Sequence, residues 1–543
     1  MTRYENIQTE RIRGGRLLLV LVLFVLAGCQ VDEERREPTE PASARGAAMI
    51  ESIPGRALAE QHCGSCHQFP RPDLLNRATW RDAVLPRMAH RLGIYEGERP
   101  DSLFESGIGG TIVKAANVFP EERVLAQQEW QAIVDYYLDH APRGALPVPD
   151  SVEIAMGLKH FRFNVPSFRR APPMTSLLHI GSGGKRVYVG DANPSLPTLN
   201  ILDSSLKERR AFAVDSPPSS LREKEGVLWV TLIGSIPPTD APSGSLVRID
   251  PDGGAEGNGT QMTLIDSLQR PVHAAYADLD GDGREDVVIS EFGYRTGALA
   301  WHEWRPDGRY EKRVLRSGPG AVRSAIRDVD QDGRPDILAL FGQGREALYI
   351  YYNEGEGRFR EERVLDFPPS YGSVYFEVVD FNGDGHLDIL YVNGDNADYE
   401  ALMKGYHGVR LYVNDGNNEF EHNFFFPLDG AYKALPRDYD GDGDLDIAVI
   451  AFFADYQSSL TKNFVFLENT GGLRFAARSF KEASIGAWLV ADAGDLDDDG
   501  DADVLLGSYS TIGAGSDYVP SRLRTWWVEK GPSLALLENT TIP

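Results

Sequence analysis

Cysteine is scarce in this chain: three thiols, Cys29, Cys63 and Cys66, in 543 residues, too few for a disulfide-built scaffold. Positive charge is short as well. Fifty-five Lys and Arg face 81 Asp and Glu, a formal net charge of -26, which argues against nucleic acid or an anionic membrane surface as a partner. The apolar run Leu17–Ala27 has eleven residues and would rise only about 16 Å as a helix, too little to span a bilayer. No Ser/His/Asp constellation, phosphate-binding glycine loop or zinc signature stands out. Glycine (55) and proline (33) are plentiful, which leans toward turn-rich β structure. The length exceeds what one core organises, so two or more domains are expected.

At the N-terminus Arg3, Arg11, Arg13 and Arg16 precede that short apolar run, the charged and hydrophobic regions of an export signal. Leu26-Ala27-Gly28-Cys29 follows and resembles the lipobox of bacterial lipoproteins. The resemblance implies a signal peptide over 1–28, a lipidated Cys29, and an exported protein held at a membrane by its acyl chains. Residues 29–55, polar and carrying Pro38 and Pro41, read as a flexible tether.

Cys63-Gly-Ser-Cys66-His67 is a C-x-x-C-H run. Two thiols so spaced can add across the vinyl groups of a haem while the next residue offers an imidazole to the iron. A zinc site would need two more ligands, and Cys29 is the only other thiol. A thioredoxin-like pair would sit beside a βαβ pattern, and none surrounds it. From 56 to 142 the pattern is helical, with Trp130, Ile133, Val134, Tyr137 and Leu138 on one face of a final helix. This layout is similar to a small class I-like cytochrome c domain, with one haem c, attached through Cys63 and Cys66. His67 and Met88 are the expected iron ligands, with His90 and His140 as alternatives to Met88. Residues 143–157 hold Pro147 and Pro149 and read as a linker.

A nine-residue pattern then recurs five times, its starts 50, 52, 58 and 57 residues apart. The side-chain positions one, three, five and nine are Asp278, Asp280, Asp282 and Asp286; Asp328, Asp330, Asp332 and Asp336; Asp380, Asn382, Asp384 and Asp388; Asp438, Asp440, Asp442 and Asp446; and Asp495, Asp497, Asp499 and Asp503. A glycine always fills position six, and position seven (Arg284, Arg334, His386, Asp444, Asp501) can offer its backbone carbonyl. That is the ligand spacing of a calcium loop. Two carboxylates about 5 Å apart repel by roughly 3 kcal/mol at an effective dielectric near 20, so up to five Ca2+ are expected. Position nine leads into an apolar, β-branched run, a strand rather than the helix of an EF-hand.

These loops resemble the FG-GAP/VCBS repeats, whose members form β-propellers. With two earlier strand-rich stretches, Met174 to Val214 and Ser219 to Ile265, the expectation is a seven-bladed all-β propeller over 158–543, following a small all-α cytochrome c domain. The last repeat stops after three strands. Lys159 to Asn164 is therefore expected to supply the fourth and close the ring.

Five residues before each acidic loop lie His273, Arg323, Tyr375, Lys433 and Val490. Strand alternation would let them converge near the ring axis, where a small anion could bind or where they could merely fill a channel. The expected function is single-electron transfer by a lipid-anchored monohaem cytochrome whose propeller docks an unknown redox partner. The alternative is a propeller dehydrogenase that oxidises a sugar or alcohol and reduces its own haem.

Overall fold

The structure, a computed structural model, describes residues 54–149, 152–254, 259–396, 402–511 and 519–542. The export signal, Cys29 and nearly all of the tether lie outside them. Among the described residues no helix is long and apolar enough to cross a membrane.

From Ile154 to Asn539 the chain folds into seven sheets arranged as propeller blades. In each blade strand one lines the axis and strand four faces outward. Strand two is the most buried: Asp286–Glu291, Asp336–Phe341, Asp388–Asn393, Asp446–Ala451 and Asp503–Ser508 are buried along their whole length. Their apolar side chains pack against neighbouring blades on both faces, which is why they read as continuous rather than alternating runs. Outer strands such as Tyr310–Ser317 and Arg358–Asp366 are largely exposed and carry the charge.

The ring closes as its sequence requires. Phe161–Asn164 pairs antiparallel with Leu534–Asn539, so the N-terminal strand completes the last blade. Phe161 packs edge-on to Tyr439 and Phe466, at 5.6 and 5.3 Å between ring centroids. Two features differ from the expected layout. Within the stretch read as linker, Ile154–Met156 forms a fifth strand, parallel to Phe475–Ser479 on the edge of blade six. Within the last blade a helix, Ser521–Lys530, is inserted before the third strand, with Trp527 buried and its Nε1 donating to the Ser484 carbonyl. Both segments are too short or too weakly periodic to announce themselves.

The N-terminal domain is helical: Gly55–Cys63, Leu85–Arg91, Ile108–Ala115 and Gln127–His140 are its main helices. The first and last cross closely because residue 55 has no side chain. A Cβ there would fall 2.2 Å from the Ala132 carbonyl oxygen. This domain docks beside the axial mouth of the propeller. Glu105 accepts hydrogen bonds from Thr239 Oγ1 and the Asp240 amide, at 2.9 and 2.8 Å. The Arg295 guanidinium stacks on Phe119, and Tyr406 Oη donates to the Leu74 carbonyl at 3.0 Å. Leu402 of the propeller joins the helical domain's own core.

Candidate functional sites

Of the residues expected around an iron, three meet in one apolar slot. Cys63, His67 and Met88 line it together with Trp80, Trp130 and Tyr137, and the propeller adds Pro369 and Ser370. The slot encloses a free volume of about 30 Å³, so a porphyrin enters only as these walls spread. His67 is buried, and burial lowers its pKa to about 4, leaving the imidazole neutral. Its Nδ1–H donates to the Gln68 carbonyl oxygen at 2.9 Å, which leaves the Nε2 lone pair for a metal, the arrangement usual for a ligating histidine. Burial pushes the Cys63 thiol up to about 11. The alternatives to Met88 lie elsewhere. His90 stacks on Tyr95, and the exposed His140 donates from Nδ1 to the Tyr136 carbonyl. Cys63 is a free thiol.

The axial residues do converge. His273, Arg323, Tyr375, Lys433 and Val490 line one cavity of about 250 Å³ out to its mouth. What aims them there is a register shift in each inner strand, between Pro271 and His273, Ala321 and Arg323, Ser373 and Tyr375, Ala431 and Lys433, and Trp488 and Val490. A bulge of this kind sets two residues against one on the partner strand and re-aims side chains. Arg323 donates from Nη2 to Glu377 Oε1 at 3.1 Å and lies 3.3 Å from His273 Nε2. It also stacks on the Tyr375 ring, whose hydroxyl donates to Glu377. Lys433 Nζ donates to the Ala491 carbonyl at 2.7 Å. Glu377 and Asp492, each two residues beyond a named position, were legible by strand alternation but not singled out. Arg270 and Tyr432 at the mouth carried no such signal.

The acidic loops sit at the opposite end of the inner strands. In four of them the side-chain oxygens of positions one, three and five lie within 4.8 Å of one another: Asp278, Asp280 and Asp282; Asp328, Asp330 and Asp332; Asp438, Asp440 and Asp442; Asp495, Asp497 and Asp499. The loop at Asp380 carries Asn382 in place of one carboxylate, and Asn382 donates to Asp384. Position one organises the backbone: Asp278, for example, accepts from the amides of Gly281, Asp282 and Gly283. Arg284 and Arg334 place guanidinium groups on the position-five carboxylates of their own loops. Asp444 and Asp501 instead add a further acid at position seven.

Residues 278–339, 328–391 and 438–506 match the family model described as FG-GAP-like repeat. These segments are FG-GAP-like repeats. No curated protein matches the chain. Among solved structures, the chain is similar to a lectin of Agrocybe aegerita that recognises non-reducing terminal N-acetylglucosamine, at 15% identity over 68% of this chain and 99% of that one, TM-score 0.36. It is also similar to a protein from Lactobacillus plantarum, at 14% identity over 57% of this chain and 85% of that one, TM-score 0.37.

The FG-GAP-like repeats use position nine in a way that spacing alone does not reveal. Each of these aspartates is buried and stapled to backbone. Asp446 accepts from the Tyr439 amide with one oxygen and from the Asn469 amide with the other, at 3.3 and 2.8 Å. Asp286, Asp336, Asp388 and Asp503 repeat the pattern toward Trp304, Asn353, Asn414 and Asn539. Burial raises these carboxyls, to about 6 for Asp286 and about 7 for Asp446 and Asp503. Position nine thus ties each loop to the end of strand three, whatever it does for a metal. Asparagines at the end of the third strands extend the staple. Asn353 Nδ2 donates to the Leu279 carbonyl, and Asn539 Nδ2 to the Tyr439 carbonyl, each in the loop of another blade.

Proposed function

We propose that the chain is an exported, lipid-anchored monohaem cytochrome that passes single electrons, with an FG-GAP-like propeller that binds calcium and serves as its docking module. The observation that carries the reading is the meeting of Cys63, His67 and Met88 in one apolar slot walled by aromatic rings. That donor set fits a c-type haem, which when bound would supply one-electron redox chemistry.

His67 Nε2 and Met88 Sδ would ligate its iron, and Cys63 and Cys66 would hold it covalently. The Gln68 carbonyl orients the imidazole. Trp80, held by its Nε1 donating to the Pro72 carbonyl at 2.8 Å, and Tyr137, donating to the Pro70 carbonyl at 2.8 Å, keep water from the slot. Anchorage rests on Cys29, outside the described residues. Calcium would be held by positions one, three and five with the position-seven carbonyl. The loops beginning at Asp438 and Asp495, which have no arginine at position seven, would bind it tightest.

A second reading, oxidation of a small molecule in the axial cavity, is favoured by one observation. Ser370 lines the slot and Ser373 lines the axial cavity. Three residues of extended chain span about 10 Å at most, so an electron leaving the cavity would have a short path. The experiment adds substrates and, separately, reduced partner cytochromes to the purified holoprotein while haem absorbance is followed. Reduction by a partner protein alone supports the carrier. Reduction by a sugar or alcohol without a second protein replaces it with the dehydrogenase.

A further inference from the structure

We propose that the axial cavity of the propeller is a binding site for a small organic carboxylate with an apolar body. The inference stands apart from the haem reading, because it rests on a different cavity and is tested by binding.

The cavity has two levels. Its mouth is apolar, formed by Ile236, Phe292, Val322, Val374 and Leu489, with the Tyr432 ring beside them. One residue further along the bulged strands, the wall turns cationic with Arg323 and Lys433, while Arg270 sits at the rim. Glu377 follows two residues beyond Tyr375 on the same strand and accepts one hydrogen bond from Arg323, at 3.1 Å. Burial together with the charges of Arg323 and Lys433 holds His273 well below its ordinary pKa, which keeps it neutral.

The donors are only partly used. Arg323 Nε is buried with no hydrogen-bond partner among the described residues. Lys433 Nζ, with three protons to give, makes one hydrogen bond there, to Ala491. Both cations lie over the Tyr375 ring, at 4.5 and 5.3 Å from its centroid, so the strands of three consecutive blades bring their charge to one wall of the cavity. A buried guanidinium N–H without an acceptor is costly, and a carboxylate is the acceptor whose charge and planar geometry suit it. Arg270 is not part of this pair: its three nitrogens donate to the carbonyls of Ser235, Gly293 and Ile236 and shape the rim. A ligand with its carboxylate on Arg323 and Lys433 would place its body against the apolar mouth, a division of labour common in small-molecule sites.

The test is calorimetric titration of the full exported protein with benzoate, benzamide, acetate and inorganic phosphate. Benzoate should bind saturably with a dissociation constant on the order of 1 mM, the range expected for a ligand of this size. Benzamide, which lacks the charge, and acetate and phosphate, which lack the body, should bind at least about tenfold more weakly. Lys433→Met should weaken benzoate by about tenfold or more, and Arg323→Gln likewise if that variant folds. Arg358→Gln, on an outer strand, should leave it unchanged. No saturable benzoate binding below about 10 mM, equal binding of benzamide, or an unaltered constant in Lys433→Met would overturn the proposal and leave these residues as a polar filling of the channel.

Discussion

Replacing Asp446 by alanine separates what the FG-GAP-like loops owe to metal from what they owe to their own backbone. Asp446 is fully buried, and its two oxygens are the acceptors for the Tyr439 and Asn469 amides. Removing the carboxylate leaves two buried N–H groups without partners, at about 1–3 kcal/mol each. The loss should therefore be about 2–6 kcal/mol, a large share of a domain's stability. Asp442, at position five of the same loop, is exposed and belongs to the group that could hold an ion. Asp442→Asn should cost little in chelator and should shrink the stabilisation that calcium adds, since ligand-linked stability scales with affinity for the folded state. Urea titrations of both variants and the parent protein, followed by tryptophan fluorescence in excess calcium and in chelator, give the stabilities needed. Asp446→Ala should lower the midpoint in both conditions at unchanged slope. A loss below about 1 kcal/mol, or one confined to calcium, would show that position nine is a metal ligand first and refute the staple.

Other outcomes follow from single residues. His302 is buried in blade three, and burial lowers its pKa to about 3 from an ordinary 6.5. The unfolded chain therefore binds the proton first as pH falls; stability contributed above 6.5 should be lost toward pH 3 at about 1.4 kcal/mol per unit, and acid titrations of His302→Asn should lack that slope. Phe161→Ala should destabilise the closure of the last blade by about 2 kcal/mol, read as faster proteolysis of the C-terminal strand, with an unchanged rate counting against ring closure by that strand. In the holoprotein Met88→His should lower the reduction potential, because an imidazole replaces a thioether; an unmoved potential in a redox titration would exclude Met88 from the iron.

Much of this architecture was legible because a strong local signal recurs. Five acidic loops, each followed by a β-branched strand, mark five blades, and the truncated last repeat demands a strand from elsewhere, which Phe161–Asn164 supplies. The axial cluster was legible in part: counting back from the loops finds Arg323 and Lys433, but the bulges that turn them inward are backbone events with no residue signature. The staple was not legible because a carboxylate at position nine has the same spacing whether it meets a cation, two amides or both, and spacing carries no sign of the burial that the amides accompany. Ile154–Met156 was hidden by its length, three residues of unremarkable composition on an edge. The contribution of Pro369 and Ser370 to the slot was hidden because it joins residues some 300 positions apart in the chain.

The claim on which the account turns is covalent attachment of a haem at Cys63 and Cys66, and the mass of the mature protein tests it most directly. Produced in a host that exports the chain and matures c-type cytochromes, the protein should carry the mass of one haem, located by peptide mapping on the fragment containing both cysteines, with Soret absorbance to match. An unmodified fragment, with neither cysteine carrying the added mass, would contradict it.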